Sequence, residues 1–213
     1  MREGADATRW SVLLAAAELF DEYGYTGTSI SAISRRSGLT SGAVYFHYAG
    51  KQHLARAVIE QHFASWPILL GQAEQSPVGS ALDRVVNLSY AVAAAFRDDI
   101  MVRAGGRLWL ERRAIDVPLP PPFTGWIDTL TGLLGAGQAD GSVGTHVDPQ
   151  AAASVLVCSF FGTHTVSDAL DGRRLIEERL TDLWLCLLPG LASDPSAGAA
   201  ALLAQARAYV DVR

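Results

Sequence analysis

Lysine is almost missing from this chain. Of 213 residues only Lys51 is a lysine, and Lys and Arg together number 17 against 22 Asp and Glu, a net charge of −5. So acidic a balance excludes a broad basic field for nucleic acid and leaves room only for a local one. Cysteine occurs twice, at Cys158 and Cys186, far apart in apolar helical patterns. That excludes a disulfide-built scaffold and predicts buried free thiols in a cytoplasmic protein. Long apolar runs are missing too. The N-terminus, MREGADATRW, has no signal-peptide core. The most apolar stretch, VLVCSFFGTHTV from Val155 to Val166, is too short and too polar to span a bilayer, so it predicts a buried helix and no membrane partner.

Catalytic signatures are absent as well. The chain has no G-x-S-x-G, no P-loop and no H-E-x-x-H, and GAGQADG at 135–141 misses G-x-G-x-x-G by one residue and reads as a helix end. The five histidines show no metal-ligand spacing with either cysteine, and His164 with Asp168, four apart, reads as a hydrogen-bonded pair. Neither enzyme activity nor a cofactor nor a metal is expected.

What is present is helical periodicity almost end to end, without strand alternation. A first helix at about 8–23 carries Trp10, Leu13, Ala17 and Phe20 on one stripe and stops at Gly24. A short helix from Ser29 to Ser37 turns Ile30 and Ile33 inward, and a third short helix starts at Thr40. Longer helices are expected at about 50–74, 78–98, 101–113, 123–138, 149–169, 173–188 and 196–211. The fold class is all-α, with three short N-terminal helices in a domain over 1–52, the candidate helix-turn-helix, and a larger helical bundle over 53–213.

Charge supports that division. Residues 1–56 hold six basic and five acidic side chains, whereas 57–213 hold eleven and seventeen, so the acidity belongs to the larger part. Within the smaller part, GLTSGAVYFHYAGKQHL at 38–54 concentrates glycine, aromatics, histidine and the single lysine. Helix, glycine turn, helix is the layout of a helix-turn-helix. Gly38 allows the sharp turn and Thr40 can cap the following helix. Leu39, Val44 and Phe46 are expected inward, leaving Ser41, Gly42, Ala43 and Tyr45 outward. Small residues at the start of a recognition helix let its backbone press into a major groove. Tyr45 and His47 suit phosphate oxygens, and Lys51 adds a positive charge at the start of the next helix.

The stretch from Gly24 to Lys51, GYTGTSISAISRRSGLTSGAVYFHYAGK, resembles the DNA-binding signature of the tetracycline-repressor (TetR) family. The resemblance implies phosphate contacts from Tyr45, His47 and Lys51, and places Thr28 at a helix N-terminus near the DNA backbone. It turns Ser31, Thr40, Ser41, Gly42 and Ala43 toward the duplex. Further along, RAGGRL, FTGWID, VDPQAAA, SFFGTHTVSD and LTDLWLCLLPGL are similar to the γ-butyrolactone receptor branch, with EQHFASWP and AFRDD leaning toward its furan- and butenolide-sensing members. That branch implies a repressor of antibiotic genes, released from a pseudo-palindromic operator by a small hydrophobic signal. Many branch members carry lysine where this chain has Ser41, so the resemblance does not imply a shared operator sequence.

Periodicity makes Trp126 an ordinary core residue, on a stripe with Leu130, Leu133, Leu134 and Gly137. The resemblance makes it a wall of the ligand pocket, with Thr163 and Gln61 as polar contacts to the ligand head group. It also implies a homodimer through the helices at 149–169 and 173–188, where Ile176, Leu180, Leu183 and Leu187 share a stripe. A regulator of an efflux or catabolic gene sensing an antibiotic is the competing expectation; it would tolerate loss of Trp126.

Overall fold

The computed structural model describes residues 2–74, 79–121, 123–194, 202, 203 and 206. Among these, nine α-helices follow in order: α1 Arg2–Gly27, α2 Ile30–Ser37, α3 Ser41–His47, α4 Lys51–Glu74, α5 Ala81–Asp98, α6 Ile100–Leu110, α7 Thr124–Asp140, α8 Pro149–Asp171 and α9 Ile176–Leu191. The only β pairing among the described residues is an isolated bridge between Val143 and Ala192. The chain forms two compact units, Met1–Trp66 with Asp98–Pro120, and Pro67–Arg97 with Pro121–Arg213.

In the first unit α1 supplies most of the core. Val12, Leu13, Ala16, Ala17 and Phe20 are buried along it, whereas Trp10, expected on the same stripe, is 49% exposed. Ile33, Val44, Leu54 and Val58 come from the three helices that follow, and Val102 and Leu108 from α6. His62 is buried here too. Its Nδ1–H donates to the Val102 carbonyl at 2.8 Å, and its ring meets that of Trp66 edge-on at 4.6 Å. Burial pushes its pKa down to about 4, against the opposing pull of the carbonyl and Asp99.

The second unit buries Val85, Val86, Tyr90 and Ala93 of α5, Leu130 and Leu134 of α7, Leu156 of α8, and Ile176, Leu180, Trp184 and Leu188 of α9. Two polar bonds fix α9 against α5: Tyr90 with Thr181 at 2.6 Å, and the Trp184 indole N–H donating to Ser89 at 2.8 Å. Each satisfies a group that would otherwise be stranded in the core.

Several expectations need correction. α1 begins at Arg2, earlier than expected, and its regular helical backbone breaks at Gly24 as expected, where φ is 73° and ψ 178°, before a last turn to Gly27. The helix expected at 101–113 ends at Leu110 and gives way to a 3₁₀ turn at Arg112–Ala114. α9 starts at Ile176, not 173, because Gly172 and Arg173 both take left-handed φ values of 65° and 68°. Asp168 pairs with Arg173 at 2.9 Å, and His164 stacks on Phe96 with centroids 3.8 Å apart. Cys158 and Cys186 are exposed free thiols on the outer faces of α8 and α9, not buried ones. The helix expected at 196–211 lies outside the described residues except for 202, 203 and 206, which are helical.

Candidate nucleic-acid interface

The turn between α2 and α3 is built locally. Ser29 caps α2 by accepting from the Ala32 N–H at 3.2 Å, and Gly38 ends it with φ 71° in the left-handed region. Glycine meets that φ without the clash a Cβ would bring. Thr40, extended, caps α3 by accepting from the Ala43 N–H at 3.2 Å. Val44 then faces inward, fully buried, and Tyr48 follows one turn later at 5% exposure.

The opposite face of α3 is bare. Thr40, Ser41 and Gly42 are exposed and Ala43 is half-buried. Tyr45 is 55% exposed, and Phe46, expected inward, is 82% exposed. The misreading has a geometric cause: Phe46 is two residues from Val44, roughly 200° around the helix. His47 is half-buried, its ring edge-on to Phe46 at 5.1 Å. Ser31 is exposed on α2, its hydroxyl 3.0 Å from that of Ser29. Along α3, exposed small residues at Ser41 and Gly42 are thus followed by exposed aromatics at Tyr45 and Phe46.

Two expected contacts are more deeply set. Thr28 is 3% exposed, with its hydroxyl between the Leu19 and Gly24 carbonyls at 3.0 and 2.8 Å. Lys51, the first residue of α4, donates to the carbonyls of Tyr25 and Thr28 at 2.8 and 3.0 Å, with its ammonium 4.2 Å above the Tyr25 ring. The lysine therefore ties the end of α1 and the turn before α2 to the start of α4. Arg9 lies over the Tyr48 ring at 5.3 Å and is exposed.

The expected sensing residues are distributed differently. Gln61 belongs to the first unit and is exposed on α4. In the second unit, Trp126 is half-buried in the first turn of α7, above the buried Leu130, Leu134 and Gly137. Thr163 is half-buried on α8 and donates to the Ser159 carbonyl at 2.9 Å, which leaves its oxygen able to accept. Phe123, three residues before Trp126, meets Phe161 edge-on at 5.0 Å, and Phe161 meets His164 likewise at 5.0 Å. An aromatic cluster thus joins the start of α7 to the middle of α8. Among the described residues no group of three or more His, Cys, Asp or Glu could hold a metal, and no helix is long and apolar enough to cross a membrane.

Comparisons with known proteins match both parts of the sequence. Residues 12–58 match the bacterial regulatory proteins of the tetR family, and residues 79–193 match the tetracyclin repressor-like C-terminal domain. The chain belongs to the TetR family. The A-factor receptor protein of Streptomyces griseus is 36% identical over 85% of this chain and 63% of its own length. The chain therefore spans under two thirds of that curated relative. A solved structure concerned with the control of antibiotic production by bacterial hormones is 40% identical, with a TM-score of 0.80 over 87% of this chain and 98% of that one. A crystal structure of a gamma-butyrolactone receptor, an ArpA-like protein, is 31% identical with a TM-score of 0.82, covering 98% and 99% of the two chains. In this TetR-family chain, α2 and α3 are therefore the helix-turn-helix, and α7 to α9 lie in the C-terminal domain.

Proposed function

We propose that this chain is a homodimeric transcriptional repressor, released from operator DNA by a small diffusible signal of the γ-butyrolactone, butenolide or alkylfuran type. Its targets would be genes of antibiotic or other secondary metabolism, and it acts in the cytoplasm as a regulator, not a catalyst. The observation that carries the DNA half is the outward face of α3, with Ser41 and Gly42 bare at its start and Tyr45 more than half exposed beside them. A helix with so little side chain at its N-terminus can bring its backbone to the base edges, while Tyr45, His47 and Lys51 reach phosphates. Thr28 contributes by holding the backbone at the start of α2.

Two half-sites need two recognition helices, and the C-terminal helices supply a face for pairing. Val155, Cys158, Gly162 and Val166 recur at helical spacing along α8 and all are exposed, Val155 and Val166 at 53% each. Leu185, 48% exposed, and Cys186 continue this apolar surface on α9. A contiguous apolar face of this kind marks an interaction surface, and a second copy of α8 and α9 is the occupant the dimeric reading requires.

For the signal, the half-buried Trp126 offers a flat apolar wall three residues after Phe123, which meets Phe161 edge-on. That suits a small oxygen-containing ring with an alkyl tail. Thr163 is the proposed polar contact. Trp126→Ala tests the assignment. Because the ring is only partly buried, its loss should destabilise the fold by less than the ~3–5 kcal/mol of a filled core. The variant should dimerise and bind the operator, yet no longer be released by the signal. Normal release, or an unfolded protein, would refute the pocket.

A further inference from the structure

A carboxylate from far along the chain holds the backbone beside the proposed phosphate contact. Glu111, the C-cap of α6, accepts a hydrogen bond from the Tyr25 backbone N–H at 2.7 Å. It fills space that only glycine at position 24 leaves open, since a Cβ there would lie 2.4 Å from the Glu111 Oε1. Gly24 also sits at φ 73°, so this kink demands glycine twice over. Arg107, one turn earlier on α6, donates to Glu111 at 3.3 Å and to the Asp21 carbonyl. Arg103 pairs with the Asp21 carboxylate at 2.9 Å. One face of α6 thus grips the last turns of α1 at both Asp21 and Tyr25.

Lys51 grips Tyr25 from its other polar group. The ammonium donates to the Tyr25 and Thr28 carbonyls, and the Tyr25 ring lies beneath it. An ammonium has three donors, so the two carbonyls leave one N–H for a phosphate oxygen. Where that third donor points depends on where Tyr25 stands, and Glu111 sets where Tyr25 stands.

We infer that Glu111 is a positioning residue for DNA binding: through the Gly24–Tyr25 backbone it fixes the Lys51 ammonium for its phosphate. A displacement of the α6 C-terminal turn relative to α1 breaks the Glu111–Tyr25 bond and loosens the lysine. The docked α6 end is therefore a condition for the full grip on DNA. The inference rests on the proposed role of Lys51 at the operator.

The test is operator affinity over a series of salt concentrations, together with hydrogen exchange of the Tyr25 amide in the DNA-free protein. Glu111→Ala and Lys51→Met should each weaken binding roughly ten-fold and lower the salt slope by about one, the share of a single phosphate. The double variant should show no further loss of slope. Glu111→Gln loses the Arg107 ion pair but keeps an acceptor for the Tyr25 N–H, and should recover affinity to within about three-fold of wild type. If Glu111→Ala does not fold, Glu111→Asp, which keeps the charge but withdraws it by one methylene, takes its place and should behave as the alanine does. The Tyr25 amide should exchange faster in Glu111→Ala or Glu111→Asp than in wild type. An unchanged salt slope, additive slope losses in the double variant, or unchanged Tyr25 exchange would each overturn the inference. If wild type ignores the DNA but Tyr25 exchange still responds, the Glu111 lock stands and the operator reading falls.

Discussion

Adding a single methyl group at Gly42 should push folding and DNA binding in opposite directions. Gly42 lies in the first turn of α3 without a positive φ, and a Cβ built there meets only the Thr40 Oγ1, at 3.8 Å, an ordinary contact. The fold therefore loses nothing by the change. Alanine is favoured over glycine within a helix by roughly 0.5–1 kcal/mol. Since 1 kcal/mol moves the melting temperature of a chain this size by about 2–4 °C, a rise of about 1–4 °C is expected. On the DNA side the same methyl projects from the exposed face. If the backbone there packs against the duplex, the methyl overpacks the contact at a cost of about 1–3 kcal/mol, roughly 5- to 150-fold in affinity. No charge changes, so the salt slope should stay as in wild type. Thermal unfolding by circular dichroism and operator titration by fluorescence anisotropy read the two effects separately. Operator affinity within two-fold of wild type would refute close approach at Gly42.

Tyr45→Phe removes only a hydroxyl from a side chain that is 55% exposed, so unfolding should shift by less than about 0.5 kcal/mol while operator affinity falls roughly ten-fold; a clear loss of stability would make Tyr45 structural. His62 should make the fold acid-sensitive. Its native pKa, about 4, is below the ordinary 6.5, so between those values the unfolded chain binds more protons and stability falls as pH falls through that window. The loss approaches about 3 kcal/mol near pH 4. Urea unfolding of wild type and His62→Asn at pH 7 and pH 4.5 should show a distinctly smaller pH effect in the variant, and equal effects would contradict it. Val166→Asp, at an exposed apolar position of α8, should yield a folded monomer by sedimentation that no longer binds the operator; a dimer would point to another interface.

How much the sequence reveals depends on how local the determinant is. The helix-turn-helix is legible because its signals lie within a few residues: Ser29, Gly38 and Thr40 cap or turn where expected. Phe46, expected inward, is the exception. With Ser41 as the first residue of α3, Val44 and Tyr48 define the buried side and Phe46 falls opposite. The cysteines mislead for a different reason. α8 is apolar on both sides, with Leu156 buried and Val155 and Cys158 exposed, and periodicity cannot tell a core face from one awaiting a partner. The Tyr25–Glu111 bond joins residues 86 apart, and no pattern in one sequence announces such a pair. Gly24 was visible as a helix breaker, but not as the gap that admits Glu111.

Signal-dependent release of DNA tests the account most directly. Purified wild-type protein is titrated onto a labelled duplex from upstream of its own gene, at fixed salt. A synthetic γ-butyrolactone, a butenolide or an alkylfuran is then added to the preformed complex. The account predicts salt-sensitive binding by a dimer, with loss of anisotropy on adding at least one of these signals and none on adding a ligand lacking the five-membered oxygen ring. A shift of the equilibrium by even ten-fold requires the signal to favour the released state by about 1.4 kcal/mol. Tight binding that none of the three signals disturbs would contradict the proposed effector class. Failure to bind any upstream DNA as a dimer would contradict the repressor reading itself.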